Sequence, residues 1–476
     1  MDRRAFLALL TSGAALAATS ARAEPAPLRL RLHPDRLGHA IGADFTGLSY
    51  ETAQLHNPHF FAAENGALVG HFRRLGASGV LRIGGNTSAY GVWTPSGAAE
   101  ADPDEAVGPD TGKAPAPRRP ITPRAIDKLR GFLDATGWRL IYGLNLAGES
   151  PKIAADEADY VARAMGQRLI ALQLCNEPDL FARNGLRAEG YDFEQFAAEW
   201  ERFFRAVRAR VPDAPFAGPD TAFNNEWLVP FAQRFKGEVQ FLSQHYYAEG
   251  PPSDPSMTIA RLLGPSRVLQ DEFGGMARTQ LQTGLPFRMA ETNSCYGGGK
   301  AGVSDSFASA LWGADLMYRL AAAGGEGINF HGGGEGWYTP IAGTPRTGFT
   351  ARPLYYAMLL FAMAGPGTLI DVEFDNGQVP QVSAYGLKGA DGAIKAVVLN
   401  KSDADVTLAV DAAASVSVLR LCAPSLDDKA NTRLGGARVG ADGAFAPAAP
   451  EKIASRDGRL TVAMPRASGA LLAFSA

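Results

Sequence analysis

The feature that most constrains this chain is a repeated alternation of short apolar runs with longer amphipathic ones between Ala43 and about Gly334. Eight runs read as strands: 43–50, 79–84, 139–145, 169–176, 215–220, 239–247, 286–291 and 327–331. Each is rich in Ile, Val, Leu, Phe or Tyr, and most end in polar residues or glycine. Between them lie helical patterns. The stretch 123–135 places Ile126, Leu129, Phe132 and Leu133 on one face, 193–211 does so with Phe196, Trp200, Phe203 and Val207, and 307–323 with Leu311, Ala314, Leu316 and Leu320. Asp192 and Ser304 or Asp305 are suitable N-caps. Strand–helix alternation repeated this often predicts a parallel sheet closed into a (β/α)8 TIM barrel, an α/β fold. A doubly wound open sheet is the competing arrangement, but no Gly-x-Gly-x-x-Gly follows the first strand.

The texture changes after Ala351. Segments such as 381–387, 394–399, 406–410, 416–421, 460–464 and 470–474 are short and strand-like, separated by Gly, Asp and Pro. They predict a C-terminal all-β sandwich domain. The alternating Leu28-Arg29-Leu30-Arg31-Leu32 reads as a half-buried strand that joins that sheet. The expected division is therefore a leader over 1–23, an N-terminal strand segment over 24–42, the catalytic barrel over 43–345 and the sandwich over 346–476. The Pro- and Ala-rich stretch 97–120 is long for a βα loop and is expected on the surface of the active-site face, as a loop or lid.

The leader reading rests on Arg3-Arg4, the apolar residues Phe6 to Ala18, and Ala21-Arg22-Ala23 as a cleavage site. The Arg-Arg-x-Phe-Leu order resembles a twin-arginine export signal, which implies a periplasmic or secreted protein. The formal net charge is −3 at pH 7, with no basic run to suggest nucleic acid and no polybasic segment to suggest a lipid surface. No later stretch suits a membrane span, and the chain is expected to be monomeric. Its partner is expected to be a small molecule or a neutral-to-acidic polymer. Cys175, Cys295 and Cys422 are an odd set with no CxxC, and are expected as buried thiols rather than a disulfide framework.

Barrel active sites lie where the strands end. Those ends carry Ser49, Tyr50 and Glu51; Arg82 running into Gly84-Gly85-Asn86; Asn145 and Glu149; Asn176-Glu177-Pro178; His245-Tyr246-Tyr247; Glu291-Thr292-Asn293; and Asn329-Phe330-His331. Strands four and seven face each other across the mouth, so Glu177 and Glu291 are the candidate catalytic pair. Glycoside cleavage needs such a pair, a carboxylic acid to protonate the leaving oxygen and a carboxylate on the other side of the sugar. Arg82 and a tyrosine of strand six are placed to keep Glu291 ionised. Alternation lets one of Tyr246 and Tyr247 point inward. Glu149 reads as a rim carboxylate and Glu272 as a solvated one. His245 and His331 read equally as site or packed core residues, and no metal or other cofactor is expected. Trp93 and Trp337 could stack on sugars, whereas Trp312 fits a helix core.

Several longer segments narrow this pattern. They are Phe45-Thr46-Gly47-Leu48-Ser49-Tyr50-Glu51, Arg82-Ile83-Gly84-Gly85-Asn86-Thr87-Ser88, His245-Tyr246-Tyr247, and Ala290-Glu291-Thr292-Asn293-Ser294-Cys295-Tyr296-Gly297-Gly298-Gly299. Together with Asn176-Glu177-Pro178 they resemble glycoside hydrolase family 79 of clan A, which contains β-glucuronidases and heparanases. The resemblance implies Glu177 as acid/base, Glu291 as nucleophile, and Tyr247 beside the nucleophile. It also implies that Tyr296, Gly297, Gly298, with Lys300, and Tyr338 bind a substrate carboxylate, and that Glu51, Asn176 and Asp110 hold sugar hydroxyls. Glycines let backbone N–H groups approach an anion closely, so that loop is chemically suited to the role. The implied function is a retaining exo-β-glucuronidase acting on a glucuronic-acid-containing glycan or glycoside, with or without 4-O-methylation. An endo-β-glucuronidase of heparanase type, a neutral-sugar glycosidase of the same clan and a non-catalytic carbohydrate-binding protein are the alternatives. The absence of a basic cluster, the Tyr-Gly-Gly loop and the two glutamates speak against them in that order.

Overall fold

The structure, a computed structural model, describes residues 26–97, 117–333, 336–375, 381–411, 415–456 and 458–475. The expected leader and Asp110 lie outside them.

The eight barrel strands are Thr46–Glu51, Val80–Gly84, Arg139–Gly143, Leu169–Gln173, Phe216–Thr221, Val239–Glu249, Phe287–Cys295 and Gly327–Gly332. They close in chain order, and the eighth pairs in parallel with the first from Ile328–Thr46 to Gly332–Tyr50. The (β/α)8 barrel read from the alternation is therefore present. The helices between strands begin where the sequence offers a cap. Thr122 caps Pro123–Thr136, and Asp192 forms a reciprocal capping box with Gln195 at the start of Phe193–Arg210. Phe196, Trp200, Phe203 and Val207 on that helix are buried, as their 3.6-residue spacing requires. Helix Phe307–Ala322 starts at neither Ser304 nor Asp305, because Ser306 occupies the N-cap. The N–H groups of Phe307 and Ala308 donate instead to the carbonyls of Asp428 and Leu426 in the C-terminal domain, at 2.8 and 2.9 Å. Long-range backbone partners replace the local cap here, a substitution that local sequence does not encode.

The barrel interior is layered. Val80, Ile141, Ala171 and Ala217 form a buried apolar plug against which Phe241 packs. Side chains two residues further along a strand share the same face. Arg82, Gln173 and Ser243 thus form the next layer toward the C-terminal mouth, each wholly buried. Charged groups above a dry floor must satisfy one another, since desolvated polar groups are costly when unpaired.

The C-terminal domain is one continuous ten-stranded sheet. The N-terminal strand Leu28–Ile41 pairs antiparallel with Gly367–Phe374 and, through Leu28–Leu30, parallel with Val406–Asp411. Leu30, Val398, Leu408, Val418, Leu460 and Leu472 share one core, so the two ends of the sheet fold face to face in the manner of a sandwich. Alternate residues Val397, Leu399, Leu421 and Leu471 enter the barrel's own core, which fastens the two units together. Helix Pro353–Ala364 packs on Phe307–Ala322 and completes the last β/α unit, so the barrel runs to Ala364 and not to 345. That helix is buried almost all round and shows no amphipathic period, which is why its sequence reads as a change of domain. Among the described residues no helix is long and apolar enough to cross a membrane.

Candidate active site

Arg82 organises the mouth of the barrel. Its guanidinium is wholly buried and donates five hydrogen bonds. Nε reaches Gln173 Oε1 at 2.9 Å, and Nη1 reaches Ser49 Oγ at 3.1 Å and Glu291 Oε2 at 2.5 Å. Nη2 reaches Asn176 Oδ1 at 2.8 Å and Asp220 Oδ2 at 2.6 Å. Only a planar fork with five N–H groups can serve this many acceptors from one buried cation. Burial alone would lower its pKa, but Asp220, Glu291 and Glu51 outweigh it and hold the guanidinium charged.

Glu291 lies on the seventh strand with its carboxylate facing this fork. Tyr247 donates its phenol to Oε1 at 2.7 Å, and His331 Nδ1 stands 3.3 Å from Oε2. Burial pushes the carboxyl up, but His331, His245, Arg82 and the Tyr247 hydrogen bond together hold it well below the usual carboxylate range. Tyr247, and not Tyr246, reaches it. Tyr246 points the other way and donates to Ser266 Oγ at 3.3 Å. His331 also meets Ser49 Oγ at 3.0 Å and Glu51 Oε1 at 3.4 Å, so it bridges two carboxylates.

Glu177 follows the fourth strand in the left-handed region, with φ 48°. Its N–H donates to the carbonyl of Asp220 at 2.9 Å, and Asp220 is itself left-handed with φ 64°. Two non-glycine residues in that region cost about 1–3 kcal/mol each, and such strain concentrates at functional sites. His245 Nδ1 lies 3.0 Å from Glu177 Oε1 and 3.9 Å from Glu291 Oε1, with Nε2 3.1 Å from Asp220 Oδ1. Donor atoms of Glu177, His245 and Glu291 all fall within 4.8 Å of one another. Burial opposes protonation of His245, but Asp220 and Glu291 prevail and raise it to about 10. The protonated imidazole thus stands among Glu177, Asp220 and Glu291 and gives this acidic cluster an internal counter-charge.

The remaining residues singled out from sequence fall into three groups. Asn176 and Glu51 are at the cleft but serve internal bonds. Asn176 Nδ2 donates to Asn86 Oδ1 at 3.3 Å, and Glu51 Oε2 accepts from Thr87 N at 2.8 Å and Thr87 Oγ1 at 2.6 Å. Gly85 makes room for this, since a Cβ there would lie 2.4 Å from Glu51 Oε2. Tyr296, Gly297, Gly298 and Tyr338 lie on the side of the cleft where Tyr247 meets Glu291. The rings of Tyr296 and Tyr338 centre 6.4 and 6.2 Å from that of Tyr247. Gly297, Gly298 and Gly299 take φ of 75°, 91° and 86°, which side chains resist, and Tyr338 N donates to Gly298 O at 3.4 Å. Lys300 turns away, its ammonium donating to the Asp254 carbonyl at 2.6 Å.

The third group plays no direct part in the cluster. Glu149 Oε1 accepts from Trp93 N at 3.0 Å, Trp93 and Trp312 are buried, and Trp337 is exposed. Glu272 is buried rather than solvated, because its helix, Arg267–Thr283, turns that face to the barrel. The cysteines form no disulfide, and Cys422 is only partly buried. Asp220 and Gln173 are site residues that motif reading passes over. Gln173 Nε2 donates to Asp220 Oδ1 at 2.5 Å and Ser243 Oγ at 2.9 Å. The available signal was the inward alternation Ser243-His245-Tyr247 and Ala171-Gln173, which puts polar residues where a barrel expects filling.

No protein-family model matches the chain. It is 25% identical over 327 residues to a β-glucuronidase of Aspergillus niger, covering 60% of this chain and 57% of that protein. It is 23% identical over 327 residues to a β-glucuronidase of Neurospora crassa, covering 61% and 57%. The match thus spans less than two thirds of the length of these relatives. Among solved structures, a 4-O-α-L-rhamnosyl-β-D-glucuronidase from Fusarium oxysporum superposes with a TM-score of 0.72 at 17% identity, covering 93% of this chain and 98% of that one. A GH51 arabinofuranosidase from Xanthomonas axonopodis pv. citri gives 0.68 at 16% identity, covering 94% and 100%. The fold is shared with these TIM-barrel glycosidases that carry a C-terminal β domain. Barrel and β domain are both included in these superpositions, so the likeness extends to how the two units are joined.

Proposed function

We propose that this chain is a retaining glycoside hydrolase of the family 79 type that releases terminal β-glucuronic acid. The observation that carries the proposal is the meeting of two carboxylates from opposite strands around one histidine, their oxygens within 4.8 Å. A separation of about 5–5.5 Å suits double displacement, whereas inversion needs roughly 6.5–9.5 Å to seat a water. The environments divide the roles. Glu291 is fastened to a guanidinium and a phenol and kept ionised, which suits a nucleophile.

In this mechanism Glu291 Oε1 or Oε2 attacks the anomeric carbon as the bond to the leaving oxygen breaks, and Glu177 gives that oxygen its proton. A water then loses its proton to Glu177 and attacks the same carbon, releasing Glu291 and returning the β-configured sugar. The Tyr-Gly-Gly loop and Tyr338 support a carboxylate-bearing sugar, because their phenols and backbone N–H groups lie next to the nucleophile with no acidic side chain on the loop itself. The β-glucuronidase relatives support the same substrate class.

The test is hydrolysis of aryl β-glucuronide, β-glucoside, β-xyloside and β-galacturonide, with the first-formed anomer followed by NMR. Preference for the glucuronide with a β-configured product is expected. An α-configured product, or preference for a neutral sugar, refutes the reading.

A further inference from the structure

Phe223 stands on the rim of the barrel, just beyond the fifth strand, 58% exposed. Its loop is held tightly. Asp179, two residues after Glu177, accepts from Ala222 N at 2.9 Å, Phe223 N at 3.4 Å and Asn224 N at 3.3 Å. Asn224 Oδ1 accepts from Glu226 N at 3.0 Å, and the neighbouring Trp227 is buried with its ring 5.3 Å from that of Phe196. A half-buried carboxylate and a buried indole thus fix a loop whose one large apolar side chain is left in water. Such exposure forgoes about 25 cal/mol for each Å² of apolar surface unless a ligand covers it.

The distribution of exposed apolar side chains adds a second observation. Among the described residues the exposed large aromatic rings are Phe223, Tyr296 and Trp337, and each follows a barrel strand on the catalytic face. Exposed aliphatics such as Ile153 and Leu281 lie on outer helices instead. Tyr296 and Trp337 belong to the side of the nucleophile. Phe223 belongs to the side of the acid, because its loop is bonded to the loop of Glu177 through Asp179 and through the Glu177–Asp220 backbone bond. The leaving group must depart past the residue that protonates it.

We infer that Phe223 is the platform of the leaving-group subsite, where its ring stacks on the flat apolar face of the aglycone. The inference rests on the glucuronidase reading for which side is which. The occupant presents a flat apolar face, either an aryl ring or the C–H face of a sugar, and either can lie against a phenyl ring.

The experiment compares wild type, Phe223→Ala and Phe223→Trp on an aryl β-glucuronide, a glucuronyl disaccharide and methyl β-glucuronide. For Phe223→Ala, kcat/KM on a ring-bearing substrate is expected to fall about 2- to 10-fold, from the usual strength of ring stacking. Methyl glucuronide and inhibition by free glucuronate should stay at wild-type values, and Phe223→Trp should restore the loss. A loss with the aryl substrate alone assigns an aryl occupant, and a loss with the disaccharide assigns a sugar ring. Equal mutant-to-wild-type ratios for ring-bearing and methyl substrates overturn the proposal. If wild type hydrolyses some other glycoside, the glucuronidase reading fails, and the same ratios on the aryl and methyl forms of that glycoside decide Phe223 separately.

Discussion

Arg82 Nη1 donates to Glu291 Oε2 at 2.5 Å while Nη2 of the same guanidinium holds Asp220 Oδ2 at 2.6 Å. One buried cation therefore serves two buried anions. Removing one partner of such a set strands the others, which costs about 3–5 kcal/mol. Arg82→Gln should lower thermal stability strongly and abolish turnover. Arg82→Lys keeps the charge but offers three donors on a flexible stem, so it should fold better and still lose most of kcat. Unfolding curves and kcat together check this. A wild-type melting temperature for Arg82→Gln would contradict the account.

His245 links that charge system to pH. Burial works against its proton, but Asp220 and Glu291 hold its pKa up at about 10. Its ring is faced by Glu177, Asp220 and Glu291, with Glu272 close enough to be felt electrostatically. The unfolded value is about 6.5. A pKa raised on folding gives stability that is complete below the unfolded value and is lost as pH rises through the folded one. The melting temperature should therefore fall between about pH 6.5 and 10. His331, raised by Glu291 and Glu51 against burial, contributes in the same direction. His245→Gln should flatten this slope, read by thermal unfolding across that range. An identical slope in the variant would place the titration elsewhere.

Removing the acid should be felt in proportion to the leaving group's need for a proton. General acid catalysis contributes about 10²–10⁴-fold. Glu177→Ala should lose about that much kcat/KM on an alkyl glucuronide and far less on an activated aryl one. Azide should partly restore the activated substrate, because the cavity left by the side chain admits a small anion beside the glycosyl-enzyme. A uniform loss across leaving groups would remove Glu177 from the acid role.

The barrel was legible because parallel strands buried on both faces leave continuous apolar runs, and their helices leave a 3.6-residue period. Arg82, Glu177, Tyr247 and Glu291 were legible because strand ends point at the mouth. Asp220 was not, since its reach depends on a left-handed backbone at φ 64° that no propensity of Asp in Gly-Pro-Asp-Thr dictates. Glu272 was misread because its neighbours Gln270 and Asp271 are polar, and only the packed helix shows which face turns inward. Helix Pro353–Ala364 was assigned to the wrong unit because a helix buried on every side carries no period to read. For Glu272 and for helix Pro353–Ala364 the deciding information is long-range packing.

On the function proposed above, the loop after Glu291 selects a uronic acid over a neutral sugar. Three successive left-handed glycines curl its backbone, and Gly299 has no space for a Cβ, which would lie 2.6 Å from Tyr338 N. Tyr296 and Tyr338 are thereby fixed beside Tyr247. A hydrogen bond to a charged group is worth about 1.5–3 kcal/mol, so losing one phenol should cost roughly 10- to 100-fold where the substrate is anionic. A glucoside has no carboxylate to lose contact with. Tyr296→Phe with Tyr338→Phe should therefore lower kcat/KM on the glucuronide while changing the glucoside little, which collapses the ratio between them. Phenylalanine keeps both rings, so the fold should survive and thermal unfolding should confirm it. If the ratio holds in a folded double variant, the carboxylate is bound elsewhere and the loop serves only to seat the nucleophile.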